Sequence, residues 1–312
     1  YLMLRYTNNF WCKMLLIDKM ENEKKRASSW FQELRDEIIN NFETLEDNQI
    51  YGKFSKNTKG KFKKQKTIRP APSNTDWGGG EMAIMRDGRL FEKVGVNIST
   101  VYGNLSKEAV NMMTETRNLP NLKNNPSFWA SGISLVAHMQ NPLLPAIHMN
   151  TRMFWTEETW WFGGGSDLNP CIEDEVDTKY FHKMQKQFCD KHDQKFYPEY
   201  KLWADKYFYI PHRKRARGVG GIFFDEHNTG NWEKDFAFTQ DVGRAFLPAF
   251  TGIIDKKKHL DWNSDDKEKQ LLHRGLYAEY NLIYDRGTKF GLATGHDPDA
   301  VLMSLPPMAK WS

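Results

Sequence analysis

The stretch WWFGGGSDLNP, residues 160–170, sets three consecutive glycines between bulky aromatic residues and an aspartate. Glycine loses more conformational freedom on folding than any other residue and brings no side chain to a core. A run of three is tolerated where the chain turns, or where main chain must lie close to something else. Two readings follow. One is a glycine-rich turn capped by Asp167; the other is a bare main-chain surface against a flat or bulky ligand, with Asp167 reaching that ligand's polar centre. A phosphate-cradling loop fits poorly, because neither Gly-Lys-Ser/Thr nor a helix opening follows the glycines.

The segments before it alternate in the manner of strands. In AIHMNTRMFW, Ile147, Met149, Thr151, Met153 and Trp155 point one way, and His148, Asn150, Arg152 and Phe154 the other. The first set is a core face. The second lines up an imidazole, an amide and a guanidinium, successive members roughly 6–7 Å apart. Upstream, SGISLVAHM puts Ser134 and His138 on one face, and the NPLLP connection brings that strand beside the next. A carboxylate at Asp167, after the probable strand TWWF, then joins imidazoles and an arginine in the kind of cluster where acid–base chemistry arises. A polar strand face turned to water explains the same alternation.

Further along, a helix is expected over 28–48, opened by an N-cap serine and carrying apolar residues at 31, 34, 38, 42 and 45. An Asp-Gly turn at 87–88 sits in alternating sequence and predicts a hairpin or meander. Helices are expected around 178–194, 198–209, 233–254 and 265–273, and strands at GVGGIFFD and LYAEYNLIYD. Strands in runs rather than in strict alternation with helices argue for α+β with a mostly antiparallel sheet, in a single domain. A chain of 312 residues, 39% hydrophobic and 14% aromatic, is long enough for that core.

Net charge is only +4, so composition alone does not indicate nucleic acid. Segment 53–69 holds seven lysines, one arginine and no acid, and reads as a solvated, mobile loop more readily than as a nucleic-acid arm. Three unlike-spaced cysteines, Cys12, Cys171 and Cys189, fit neither a disulfide framework nor a zinc pattern and suggest a reducing, cytoplasmic setting. No stretch approaches the ~18 apolar residues of a membrane span. Residues 1–27 read as a poorly ordered leader, with Met20 an alternative start, and removal of 1–19 is expected to leave activity intact. His138, His148, His182 and His212 are candidate metal ligands without the short helical spacing of a zinc motif. Arg274 and Arg286, with Arg152, suit a ligand carrying several carboxylates.

Taken in order, FEKVGVNISTVYG, SGISLVAH, HMNTRMF, WWFGGGSDLNP, YFYIPHR, RGVGGIFFD, FTQDVG, EYNLIYDRGTKFGL and VLMSLPP closely resemble the oxygen-dependent coproporphyrinogen III oxidases, from about Ser28 to the C-terminus. The resemblance implies oxidative decarboxylation of two propionates of coproporphyrinogen III to vinyls. The products are protoporphyrinogen IX, carbon dioxide and hydrogen peroxide, on the route to haem. It implies a flat antiparallel sheet flanked by α-helices on both faces, molecular oxygen as co-substrate and no organic cofactor. It implies His148 as proton donor, and Asp167 at the pyrrole nitrogens. Ser134, Asn150, Thr151, Arg152, Arg274, Arg286 and the loop Gly295, His296 and Asp297 are implied to bind substrate, and Tyr277 to Ser312 to form a homodimer. A divalent metal at His138, His148, His182 and His212 is described for some bacterial members and is not favoured here. The family often has a basic residue where this chain has Asp297, and the lysine-rich segment is a candidate replacement for that charge. The competing readings are a tetrapyrrole carrier without catalysis and a histidine–metal oxygenase or hydrolase.

Overall fold

A computed structural model describes residues 2–72, 75–293 and 296–312, with side chains of residues 2–17, 290 and 293 left aside. Its centre is one antiparallel sheet of seven strands in the order β1-β2-β3-β4-β5-β6-β9. The strands are β1 (Lys63–Ile68), β2 (Gly78–Arg86), β3 (Phe91–Asn104), β4 (Ser127–Met139), β5 (Ala146–Thr156), β6 (Trp160–Asn169) and β9 (Gly221–His227). Two short strands, β7 (Tyr209–Ile210) and β8 (Arg215–Ala216), form a separate ribbon. The α+β architecture is the one the sequence pattern predicts.

One sheet face is the core. Val94 and Val96, Ile133 and Leu135, Met149 and Met153, and Phe162 and Leu168 point into it from successive strands. Against them lie α1 (Leu2–Asn48), α3 (Glu175–Asp190) and α5 (Trp232–Lys257). The stripe of α1 is the expected one: Phe31, Leu34, Ile38 and Phe42 are all buried. The serine at 28 is not its cap, however. The helix runs continuously from Leu2, and the Ser28 hydroxyl donates back to the Lys25 carbonyl. At the other end Glu46, fully buried, accepts the backbone N–H groups of Gly60, Arg89, Leu90 and Phe91, pinning α1 to the β2–β3 turn.

Among the described residues, the opposite face is covered at its two ends. At one end α2 (Lys107–Arg117) packs Ala109, Val110 and Met113 on Val101, Phe128 and Trp161. At the other, α4 (Phe196–Tyr207), α6 (Ser264–Ile283), α7 (Arg286–Ala293), α8 (Pro298–Val301) and the turn after it close over β3, β4 and β9. Among the bonds that seat this C-terminal part are Gln270 to the Met139 carbonyl, Asn97 to the Ala300 carbonyl and Lys93 to the Leu305 carbonyl.

Three expectations are corrected. LYAEYNLIYD is not a strand: most of it belongs to α6, where Gln270, Arg274, Tyr277, Ala278 and Asn281 are buried at helical spacing. Its β-favouring tyrosines obscured that period. Part of the lysine-rich segment is not a loop but β1, an edge strand whose Lys63, Lys64 and Lys66 are exposed and discourage pairing with another sheet. The three glycines lie neither in a turn nor after the strand TWWF. They are the middle of β6, a ten-residue strand that also contains Asp167.

Candidate active site

Strand alternation delivers one set of side chains to the partly open face. In β5 these are His148, Asn150 and Arg152. Opposite them in β4 stand Val136, Ser134 and Gly132, and in β6 Asp167, Gly165 and Gly163. The glycines therefore form the floor of this face. A Cβ at Gly163 would come within 2.8 Å of the Arg152 guanidinium and of the Asp225 carboxylate, so the absent side chain makes room for that ion pair. Gly164 points to the core side, where a Cβ would sit 2.6 Å from the Asn150 carbonyl oxygen.

His148 and Asp167 are direct cross-strand partners, with Nδ1 and Oδ1 2.9 Å apart. The other oxygen of Asp167 accepts from Asn169 at 2.7 Å and from the Arg217 guanidinium. Burial acts to raise the Asp167 pKa, but Arg217 and the His148 bond outweigh it and hold the carboxyl at about 2. An anionic carboxylate only accepts, so Nδ1 of His148 carries the proton it donates. Nε2 is left as the ring nitrogen available to a ligand. The His148 side chain is 17% exposed against 3% for Asp167. The imidazole is thus the more exposed of the two, and the carboxylate stands behind it.

Arg217 is the residue that sequence reading missed. It is 2% exposed, donates to Asn281 Oδ1 at 2.9 Å, and lies over the rings of Phe208, Tyr277 and Tyr280. Fifty positions separate it from Asp167, and no local period signals that pairing. Asp225 was missed as well: it accepts from Arg152 at 2.9 Å and from Arg117 at 3.1 Å. A signal existed there, because Asp225 is four residues beyond Gly221, hence on the same face of β9.

The remaining candidates divide. Ser134 and Asn150 face each other across β4 and β5, both partly buried, and Asn150 accepts from Arg152 at 3.0 Å. Thr151 is fully buried on the core side. Arg274 is 4% exposed and donates to Glu92 at 2.7 Å and to the Met139 carbonyl, so it is committed inside the protein. Arg286 is exposed and stacks at 5.7 Å on Tyr207, whose hydroxyl feels the charge of Arg152. Asp297 caps α8 through the N–H groups of Asp299 and Ala300, and His296 is partly buried within reach of Arg69. Gly295 lies outside the described residues.

The four histidines do not form one ligand set. Nε2 of His138 bonds the Ser304 carbonyl, and His182 bonds Val219 and Tyr197. His212 bonds Tyr284 and Glu279 on the surface, and His148 bonds Asp167. Among the described residues, no group of three or more His, Cys, Asp or Glu side chains is placed to hold a metal ion.

Residues 26–312 match the family described as Coproporphyrinogen III oxidase. Oxygen-dependent coproporphyrinogen-III oxidase from Rickettsia bellii strain RML369-C is 48% identical over 293 residues, covering 93% of this chain and all of that protein. The protein of the same name from Rickettsia felis is 48% identical over 294 residues, 94% of this chain and all of its own length. That from Rickettsia peacockii is 48% identical over 289 residues, 93% and 98% respectively.

Proposed function

The chain belongs to the coproporphyrinogen III oxidase family, and from that premise we propose that it oxidatively decarboxylates two propionates of coproporphyrinogen III to vinyls, consuming oxygen, as a step of haem biosynthesis. The observation that carries the reading is the shared sheet face that holds His148, Asn150 and Arg152 over a glycine floor. Each propionate loses one hydrogen from the carbon beside the ring and its carboxyl as carbon dioxide. The electron pair of the broken C–C bond becomes the vinyl π bond. Oxygen takes up two electrons and two protons and leaves as hydrogen peroxide. The only co-substrate in this scheme is oxygen, and no organic cofactor is needed.

The residues of this chain have three tasks in that reaction. Arg152, braced by Asp225, and Arg286 hold propionates of the flat tetracarboxylate by charge-assisted bonds, which fixes the arm presented for reaction. Ser134 and Asn150 bond its edge. Nε2 of His148 moves the proton on the oxygen or carboxylate side. Asp167 acts through His148: held anionic by Arg217, it keeps the imidazole in one tautomer and one orientation. With its carboxyl at about 2 it is a positioning residue rather than a base. Because the candidate histidines are separately engaged, no step is routed through a metal.

The finer expectations join the same proposal. The protein works in the cytoplasm; none of its described helices is long and apolar enough to cross a membrane. It pairs as a homodimer through Tyr277 to Ser312, a region that exposes Leu282, Ile283, Leu292, Met308 and Trp311. The catalytic domain spans 28–312. Pure protein incubated with coproporphyrinogen III in air and under anaerobic conditions tests the function. Carbon dioxide release and vinyl product are expected only with oxygen. Binding without turnover in air would leave a carrier, and turnover abolished by a chelator and restored by metal would favour the oxygenase reading.

A further inference from the structure

Four arginines among the described residues expose less than a tenth of their surface: Arg35, Arg69, Arg217 and Arg274. Three have a carboxylate: Arg35 has Asp36 and Glu81, Arg217 has Asp167, and Arg274 has Glu92. Arg69 has none within ion-pair distance among the described residues. Its Nη1 donates to the Tyr102 carbonyl at 2.8 Å, and its Nε is buried with no acceptor. Asp76, the acid of the same loop, is engaged instead by the Tyr102 hydroxyl and the Gly78 N–H. A buried guanidinium without a counter-charge is costly, and native structures tolerate one where something else supplies the charge.

Its position says what that something is. Arg69 follows the last residue of β1, and its guanidinium lies 4.9 Å from the ring centre of Trp77 and 4.7 Å from that of Phe128. Phe128 belongs to the same face of β4 as Gly132 and Ser134. It stacks at 5.6 Å on Phe154, which shares the β5 face of His148, Asn150 and Arg152. The two ring contacts hold the guanidinium in place while only Nη1 is spent on the described residues, so its remaining N–H groups are the donors for a planar acceptor. We propose that Arg69 is a carboxylate-binding residue of the substrate site, gripping a propionate at the rim opposite the arm that faces His148. This rests on the tetracarboxylate reading above. It also gives the basic end of the 53–69 segment a task.

The experiment uses full-length protein and oxidised, unreactive coproporphyrin III as a probe. Binding is followed by tryptophan fluorescence quenching, with KM and kcat for coproporphyrinogen III and thermal melting measured in parallel. R69Q is expected to weaken porphyrin binding and raise KM by about 10–100-fold, the loss of a charge-assisted bidentate contact, with a much smaller change in kcat. Its melting temperature is expected to stay or rise, because an unpaired buried charge is gone. R69M, which keeps the apolar stem between the rings, is read alongside. Wild-type affinity in either folded variant overturns the assignment while leaving the proposed function standing. Failure of both variants to fold also overturns it, since Arg69 would then be structural. If wild-type protein neither binds nor converts the tetracarboxylate, both readings fall together.

Discussion

Arg217–Asp167 and Arg274–Glu92 are chemically the same object, a guanidinium and a carboxylate sealed from water, yet they do different work. Both join a distant segment to a strand of the central sheet. The difference lies in the far side of each carboxylate. Behind Glu92 stands Lys267, 3.0 Å away, a second cation on the same carboxylate. Behind Asp167 stands His148, which uses Nδ1 for that bond and keeps Nε2 for a ligand. The first pair ties α6 to β3; the second ties chain segments together and also fixes the imidazole. A buried ion pair is weak evidence for stability by itself, and its third neighbour tells more about why it is there.

The largest effect expected is at His148 itself. His148→Ala should lower kcat by about 10²–10⁴-fold, the contribution of a positioned proton-transfer group, with stability changed by no more than about 1–2 kcal/mol. Steady-state kinetics beside chemical denaturation checks it, and near-normal turnover would undo the contrast at its root. Next come the two carboxylates. Asp167→Asn and Glu92→Gln should each cost about 3–5 kcal/mol, because each strands a buried guanidinium. Only Asp167→Asn should also shift the pH profile of kcat, measured on the folded fraction. A shifted profile in Glu92→Gln would erase the distinction.

The smallest effect separates the regions by acid sensitivity. Burial and the charge of Arg274 push the pKa of His138 down to about 3, against ~6.5 for an unfolded histidine. Below pH 6.5 the unfolded chain therefore takes up a proton that the folded one refuses. Stability falls by about 1 kcal/mol as pH drops from 6.5 to 5.5 from this group alone. Asp167 acts later: its folded value of about 2 lies below the unfolded ~3.9, so its contribution is intact above that value and is lost as pH falls from there towards 2. The C-terminal cap over His138 is thus expected to weaken before the His148 site does. His138→Gln should flatten the slope between pH 6.5 and 5.5 in denaturant melts; an unchanged slope would contradict this.

Much of this arrangement could be read from the chain. The period of two in residues 146–156 gave a core face and a polar face, and the polar face is the one that carries His148, Asn150 and Arg152. The stripe of α1 was legible for the same reason, since burial repeats along one element. Two kinds of feature were not legible. LYAEYNLIYD reads as strand by the type of its residues and is helix by their spacing. The glycine run reads as a turn because glycine interrupts isolated strands. In the folded sheet, Asn150 and Arg152 on one side and β9 on the other supply the contacts those glycines lack.

By itself, then, the sequence determined the local periods: which residues of each strand share a face, and that an imidazole, an amide and an arginine stand in line. Tertiary structure alone decided their partners. Arg217 meets Asp167 across fifty residues, Asp225 braces Arg152 across seventy-three, and Arg69, beside Phe128, has no carboxylate partner among the described residues. The reason is physical. Alternation is a property of one segment's backbone, whereas charge pairing depends on which segments the core packing brings together.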